Sequence, residues 1–180
     1  MKKIIILLSA FVFTISLNSC KLIDKLTQFD VDYSSSFTIP QTAVPITVLN
    51  LNTPDITTNS DQTFSNNNTN ADRVESVILK KLTLTITSPS GQKFDFLKSA
   101  AVFISADGLP EIQVASIDNI DDATVGNSID MNPGGQDLKE YIKKSTIHMR
   151  ISTTTDKVIT QDVHVKADAT FFVDAKILGV

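Results

Sequence analysis

One cysteine, no tryptophan and two histidines in 180 residues leave little room for several common chemistries. A lone Cys20 can neither close a disulfide within the chain nor join the Cys and His groupings that hold structural zinc. His148 and His164 alone offer small scope for acid–base catalysis near neutral pH. Six glycines and six prolines exclude a collagenous or low-complexity chain. No apolar run reaches the roughly 20 residues of a membrane-spanning helix. There is no G-x-S-x-G elbow, no H-E-x-x-H helix, no phosphate-binding Walker loop and no repeat of fixed period. These absences point away from an enzyme, and no cofactor is expected.

The apolar run that does exist lies at the start. Lys2 and Lys3 precede Ile4 to Leu17, an uncharged and nearly all apolar stretch. Its length suits the central region of a secretory signal and is too short for a stable span. Leu17-Asn18-Ser19-Cys20 follows directly, placing the single cysteine at the end of the leader. This arrangement resembles the lipobox of bacterial lipoproteins. The resemblance implies that Cys20 takes a diacylglycerol on sulfur and that cleavage before it leaves Cys20 as first residue of the mature chain. Acyl chains contribute ~0.8 kcal/mol per buried methylene, and two or three together anchor stably where one is marginal. By family rule, Lys21 instead of Asp after the cysteine implies the outer membrane of a Gram-negative cell. Lys21-Leu22-Ile23-Asp24-Lys25 lacks the acidic cluster of surface-exported relatives, so the periplasmic face is expected.

Removing the leader takes Lys2 and Lys3 from the 16 basic residues, leaving 14 against 20 acidic, a net charge near −6. Such a surface repels phosphate backbones, so nucleic acid is not an expected partner. The organisation read from the chain is a leader over 1–19, a lipidated tether over 20–28 and one domain over 29–180. Leu22, Ile23 and Leu26 could line one face of a short helical turn in the tether, marginal alone.

From Phe29 the dominant pattern is alternation with period two, which marks strands with one buried face. Phe29, Val31 and Tyr33 alternate with acidic neighbours, Phe37 and Ile39 resume after a serine run, and Pro40 closes the strand. Val44 to Leu49 predicts a second strand with Pro45 at its edge, and Ile56 a short third. The polar stretch Thr57 to Asn70 reads as a loop pinned by Phe64. Over Val77 to Thr87, Leu82, Leu84 and Ile86 alternate with Lys81, Thr83, Thr85 and Thr87. Ser88-Pro89-Ser90-Gly91 supplies turn chemistry, and Phe94, Phe96 and Leu97 form an apolar corner. Strands are expected at Ala101 to Ser105, Glu111 to Ile117, near Ile129, at Thr146 to Thr154 and at Val158 to Leu178, the last split or bent by Asp168. Asp137 to Lys144 predicts a helix, with Leu138, Tyr141 and Ile142 at helical spacing.

Short strands at this spacing with one short helix indicate an antiparallel β-sandwich or a partly open barrel, and the sandwich is the expectation carried forward. The segment Val77-Ile78-Leu79-Lys80-Lys81-Leu82-Thr83-Leu84-Thr85-Ile86-Thr87-Ser88-Pro89 followed by Phe94-Asp95-Phe96-Leu97 resembles the central strand and corner of immunoglobulin-like and LEA-14-like sandwiches of bacterial lipoproteins. That resemblance carries no catalytic residues.

Candidate site residues are sparse. Asp118, Asp121 and Asp122, with Asp130 nearby, form the one carboxylate concentration. They lack the alternate-position ligands, central glycine and terminal glutamate of a calcium loop, so turn geometry explains them better than a metal. Thr83, Thr85 and Thr87 make a hydroxyl row that could take a sugar or a partner strand, or simply face solvent. Three functions remain open: a tethered, non-enzymatic module docking an envelope protein or glycan; a lipid carrier with a groove between its sheets; and, last, a hydrolase built from loop carboxylates.

Overall fold

A computed structural model describes residues 28–176 of the chain. Leu17 to Cys20, the tether up to residue 27 and the last four residues lie outside the described residues. The domain is mainly β: two antiparallel sheets packed face to face as a sandwich.

The strands are β1 (Gln28–Ile39), β2 (Val48–Asn52), β3 (Ile56–Thr57), β4 (Val74–Ser88), β5 (Leu97–Ala106), β6 (Leu109–Asp118), β7 (Ser128–Asp130), β8 (Asn132–Pro133), β9 (Thr146–Thr155) and β10 (Val163–Ala175). Two short helices interrupt them, α1 (Ser60–Asn66) and α2 (Lys139–Ile142), with a single 3-10 turn at Ala71–Arg73. One sheet orders β1-β10-β4-β7. The other orders β2-β9-β5-β6-β8, and β3 also pairs with β9, beyond β2.

Alternation in the sequence becomes the core directly. Val31, Phe37 and Ile39 of β1 are buried while Asp30, Asp32 and Thr38 stay exposed. Leu82, Leu84 and Ile86 of β4 face Val102 and Ile104 of β5 and Ile147 and Ile151 of β9 within one contiguous cluster. Phe94, Phe96 and Leu97 close one end of it, all buried. Leu138, Tyr141 and Ile142 are buried as their spacing required, on a helix shortened to four residues.

Three local expectations are corrected. Val44 to Thr47 lies outside β2, because Pro45 has no N–H for a ladder and Thr155 holds the segment instead. The Thr155 hydroxyl donates to the Pro45 carbonyl at 2.8 Å, and the Thr47 amide donates to that hydroxyl at 3.1 Å. The polar stretch after Thr57 contains α1, whose buried Phe64 is the pin anticipated for a loop. Its seven residues carry no apolar period, so burial of one ring and the Thr58 bond to the Lys144 carbonyl at 2.5 Å place it. Finally, β10 starts at Val163 rather than Val158 and runs through Asp168 unbroken. Asp168 faces outward, where it accepts the Ser34 hydroxyl at 2.5 Å and pairs with Lys166 at 2.7 Å, so its charge never meets the core.

The pairing of Gln28 with Asp174 puts both described ends of the chain at one pole. Opposite lie the loops 40–47, 89–96, 119–127 and 156–162. They are tied together by Thr42 to Ile159 at 2.9 Å, Phe94 to Gly126 at 3.0 Å and Asp156 to Phe96 at 3.1 Å.

Candidate functional site

The outward face of β9 carries the densest arrangement of functional side chains. Ile147, Met149 and Ile151 point inward, so His148 and Arg150 point out. Register then sets their neighbours: Arg150 stands opposite Phe103 and His148 opposite Ser105 on β5. The Arg150 guanidinium lies 4.1 Å from the centre of the Phe103 ring, a cation–π contact of ~0.5–1 kcal/mol at an exposed site. Its Nε and Nη2 donate to the two carboxylate oxygens of Glu111 on β6 at 2.8 and 2.6 Å. Nη1 donates to Asn50 Oδ1 on β2 at 2.7 Å. One side chain thus binds partners on both sides of its own strand.

The fork geometry fixes the electrostatics. Arg150's hydrogen bonds hold the Glu111 carboxyl below the usual glutamate range, and Glu111 in turn raises the guanidinium. Beside them opens a cleft of about 270 Å³ lined by Asn52, Asp55, Ser105, Glu111, His148 and Arg150. His148 Nδ1 sits 2.7 Å from Asp55 Oδ1, and Nε2 is 3.9 Å from Asp107 Oδ1 at the β5–β6 turn. Three carboxylates against one guanidinium make the cleft acidic. Ser105, His148 and Asp55 are the residue types of an acyl-transfer triad, but the Ser105 hydroxyl makes no hydrogen bond to the ring, so the relay from nucleophile to base is not assembled.

The anticipated candidates do not come together. Asp121 caps its own loop, accepting from the Ala123 amide and the Thr124 hydroxyl, both at 3.0 Å. Asp122 pairs with Lys157 at 2.7 Å, Asp118 ends β6, and Asp130 accepts the Thr83 hydroxyl at 2.5 Å. Among the described residues no three His, Cys, Asp or Glu side chains are placed to hold a metal. The threonine row lies on the outer face of the other sheet, its hydroxyls engaged by cross-strand neighbours. Thr85 meets Ser128 at 3.2 Å, and Thr87 donates to the His164 carbonyl at 3.2 Å. His164 itself is 3.0 Å from Thr38 Oγ1. Sequence reasoning did not single out Arg150, Glu111, Asp55 or Asn50. They converge only through strand order.

Between the sheets, Tyr33, Leu79, Val102, Met149 and Phe171 surround a gap of about 20 Å³, room for about one water.

No protein-family model matches the chain, and no curated protein matches it in sequence. Solved structures resemble it distantly. The decameric BFDV capsid protein is 9% identical over 83% of this chain and 98% of its own, with a TM-score of 0.38. The turnip yellow mosaic virus structure is 10% identical over 84% and 97%, at 0.26. A carbohydrate-binding module of the beta-sandwich super family is 14% identical over 84% and 56%, at 0.28. Likeness at this level says nothing of function.

Proposed function

We propose that the chain is a lipid-anchored module of the bacterial outer membrane, held by Cys20 on the periplasmic face, which binds a hydroxyl-rich glycan non-enzymatically at the β9 cleft. The observation that carries this reading is the Arg150 cluster. A guanidinium fixed at once by a carboxylate, an amide and an aromatic ring is pre-oriented, so a polar ligand need not order it on binding. Carboxylates, His148 and Asn52 around it supply donors and acceptors for sugar hydroxyls. Their acidic balance disfavours phosphorylated ligands.

The alternatives fit less well. A pre-formed ligand pocket occupies ~300–1,000 Å³, and the inter-sheet gap of about 20 Å³ is far below that, which weighs against a lipid carrier. The unbonded Ser105 and the scattered loop carboxylates weigh against a hydrolase.

The test is calorimetry of the full chain in lipid nanodiscs against soluble uncharged oligosaccharides. Arg150→Ala should abolish binding and leave the circular-dichroism spectrum unchanged. Equal binding by that variant would remove the cleft from the proposal.

A further inference from the structure

The hydrogen bonds already made in the β9 cleft define what its free groups ask of a ligand. Arg150 has five N–H donors, and three of them go to Glu111 and Asn50, so two remain. Both Glu111 oxygens already accept from that guanidinium. The Asn52 amide and the Ser105 hydroxyl, which line the cleft, have no partner among the described residues. Asp55 gives one oxygen to His148 Nδ1 at 2.7 Å and keeps the other free. Asp107, at the rim, makes no hydrogen bond, since its contact with His148 Nε2 is 3.9 Å long.

Short, tied segments hold the two free carboxylates on either side of the imidazole. Asp55 lies between Thr53, whose amide donates to the Met149 carbonyl at 3.0 Å, and Ile56, paired with Ile147 on β9. Asp107 stands in the two-residue turn of the β5–β6 hairpin, where Ala106 pairs with Leu109 and Gly108 takes φ +76°. The charge balance keeps one sign whichever form His148 takes. Asp55, Asp107 and Glu111 oppose Arg150 alone, leaving an excess of two negative charges, or one when the imidazole is charged.

We infer that the cleft takes an amino sugar, its ammonium shared by Asp55 and Asp107 and its ring hydroxyls accepting from the two spare N–H groups of Arg150. The inference rests on the glycan reading proposed above and adds the charge of the ligand to it. An ammonium brings three donors and no acceptor, which suits the free carboxylate oxygens. Its bonds to them are charge-assisted and about twice as strong as neutral ones. An acetylated amine forfeits those bonds, and a lysine side chain offers the ammonium with no ring hydroxyls beside it.

The experiment is calorimetry of the full chain in zwitterionic nanodiscs, empty discs serving as blank, in mildly acidic buffer that keeps sugar amines charged. The ligands are glucosamine tetrasaccharide, its fully N-acetylated counterpart and tetralysine. The two sugars share ring and linkage and differ in the amine. The amino form should bind about ten-fold more tightly, and added salt should shrink the difference. An Asp55→Asn, Asp107→Asn double variant should bind both sugars as the parent binds the acetylated one. Both side chains are exposed, at 68% and 104%, so the circular-dichroism spectrum should not change. Binding of uncharged oligosaccharides with no gain from the amine would overturn the inference alone, whereas silence from every saccharide would overturn the glycan reading with it. The inference also falls if the double variant keeps the preference for the amine. Tetralysine binding as tightly as the amino sugar would overturn it too, making the cleft a receptor for a basic protein segment.

Discussion

Leu79 and Leu82 are both buried between the sheets although they stand three positions apart on β4. On an unbroken strand that interval puts two side chains on opposite faces. The register explains it: Thr170 pairs with Lys81 and the next residue, Phe171, with Leu79, so Lys80 is the extra residue of a β-bulge. Both lysines therefore face outward, and they diverge, Lys80 reaching Asp30 at 2.6 Å and Lys81 reaching Asp130 at 3.7 Å. Deleting Lys80 should remove the bulge and leave Leu79 two positions from Leu82, on the same face, so a urea titration should still show one cooperative transition; loss of cooperativity would contradict this register.

The same strand distinguishes its two faces energetically. Leu84 is fully enclosed, so Leu84→Ala should cost ~2–5 kcal/mol through lost burial and a residual cavity. Thr85 meets only Ser128 on the outer face, and Thr85→Ala should change stability by no more than ~0.5 kcal/mol. Equal losses in chemical denaturation would contradict the register.

The sandwich was legible because its long strands alternate cleanly, as in β1 and in Leu82 to Ile86, and because Pro40 and Ser88 to Gly91 punctuate them. The bulge escaped notice because Lys80-Lys81 reads locally as a pause in the pattern, and its consequence depends on β10. Helix α1 escaped because its seven polar residues have no periodicity and owe their place to Phe64 and Thr58. Of the cleft, His148 could be put on an outer face from alternation alone. Glu111, Asn50 and Asp55 sit 37 to 100 residues from His148 and Arg150 in sequence, and only the order β2-β9-β5-β6 makes them neighbours. Val44 to Leu49 reads as an ordinary strand, but the chain bends at residues 43–46 around Pro45 and enters the ladder only at Val48.

Tyr33 couples β1 to the start of α1. Its hydroxyl donates to the Thr58 carbonyl at 2.8 Å, its ring packs edge-on against Phe171 at 5.7 Å, and burial pushes its pKa up to about 12. A phenol whose pKa rises on folding adds stability below its unfolded value near ~10 and loses that contribution as pH climbs through the folded value. Ultraviolet titration should show one tyrosine ionising near pH 12, and Tyr33→Phe should remove that step. The variant should also lose ~1 kcal/mol at neutral pH by leaving the Thr58 carbonyl without its donor.

The proposed anchoring through Cys20 makes a separate prediction. The thioether needs sulfur, and no helix among the described residues is long and apolar enough to cross a membrane. Cys20→Ser should move the protein out of the membrane fraction or leave the uncut precursor. Normal outer-membrane recovery of mature protein would sink the lipoprotein reading.

Arg150→Lys separates charge from geometry in the cleft. Lysine keeps the positive charge but loses the planar fork that grips both Glu111 oxygens and lies flat on Phe103. The depressed carboxyl of Glu111 favours the folded state above the ordinary glutamate pKa, and that contribution fades as pH falls through the folded value. In the variant the Glu111 carboxyl resonance should titrate closer to an ordinary glutamate, and the acid limb of the stability curve should flatten slightly. The stability change itself should stay within ~1 kcal/mol, since both partners are substantially solvated and exposed pairs contribute little. Oligosaccharide binding should fall far more than stability, because the ligand meets a mobile ammonium in place of a fixed array of donors. A variant that binds like the parent while its Glu111 titration moves would show that the fork braces the sheet and recognises nothing.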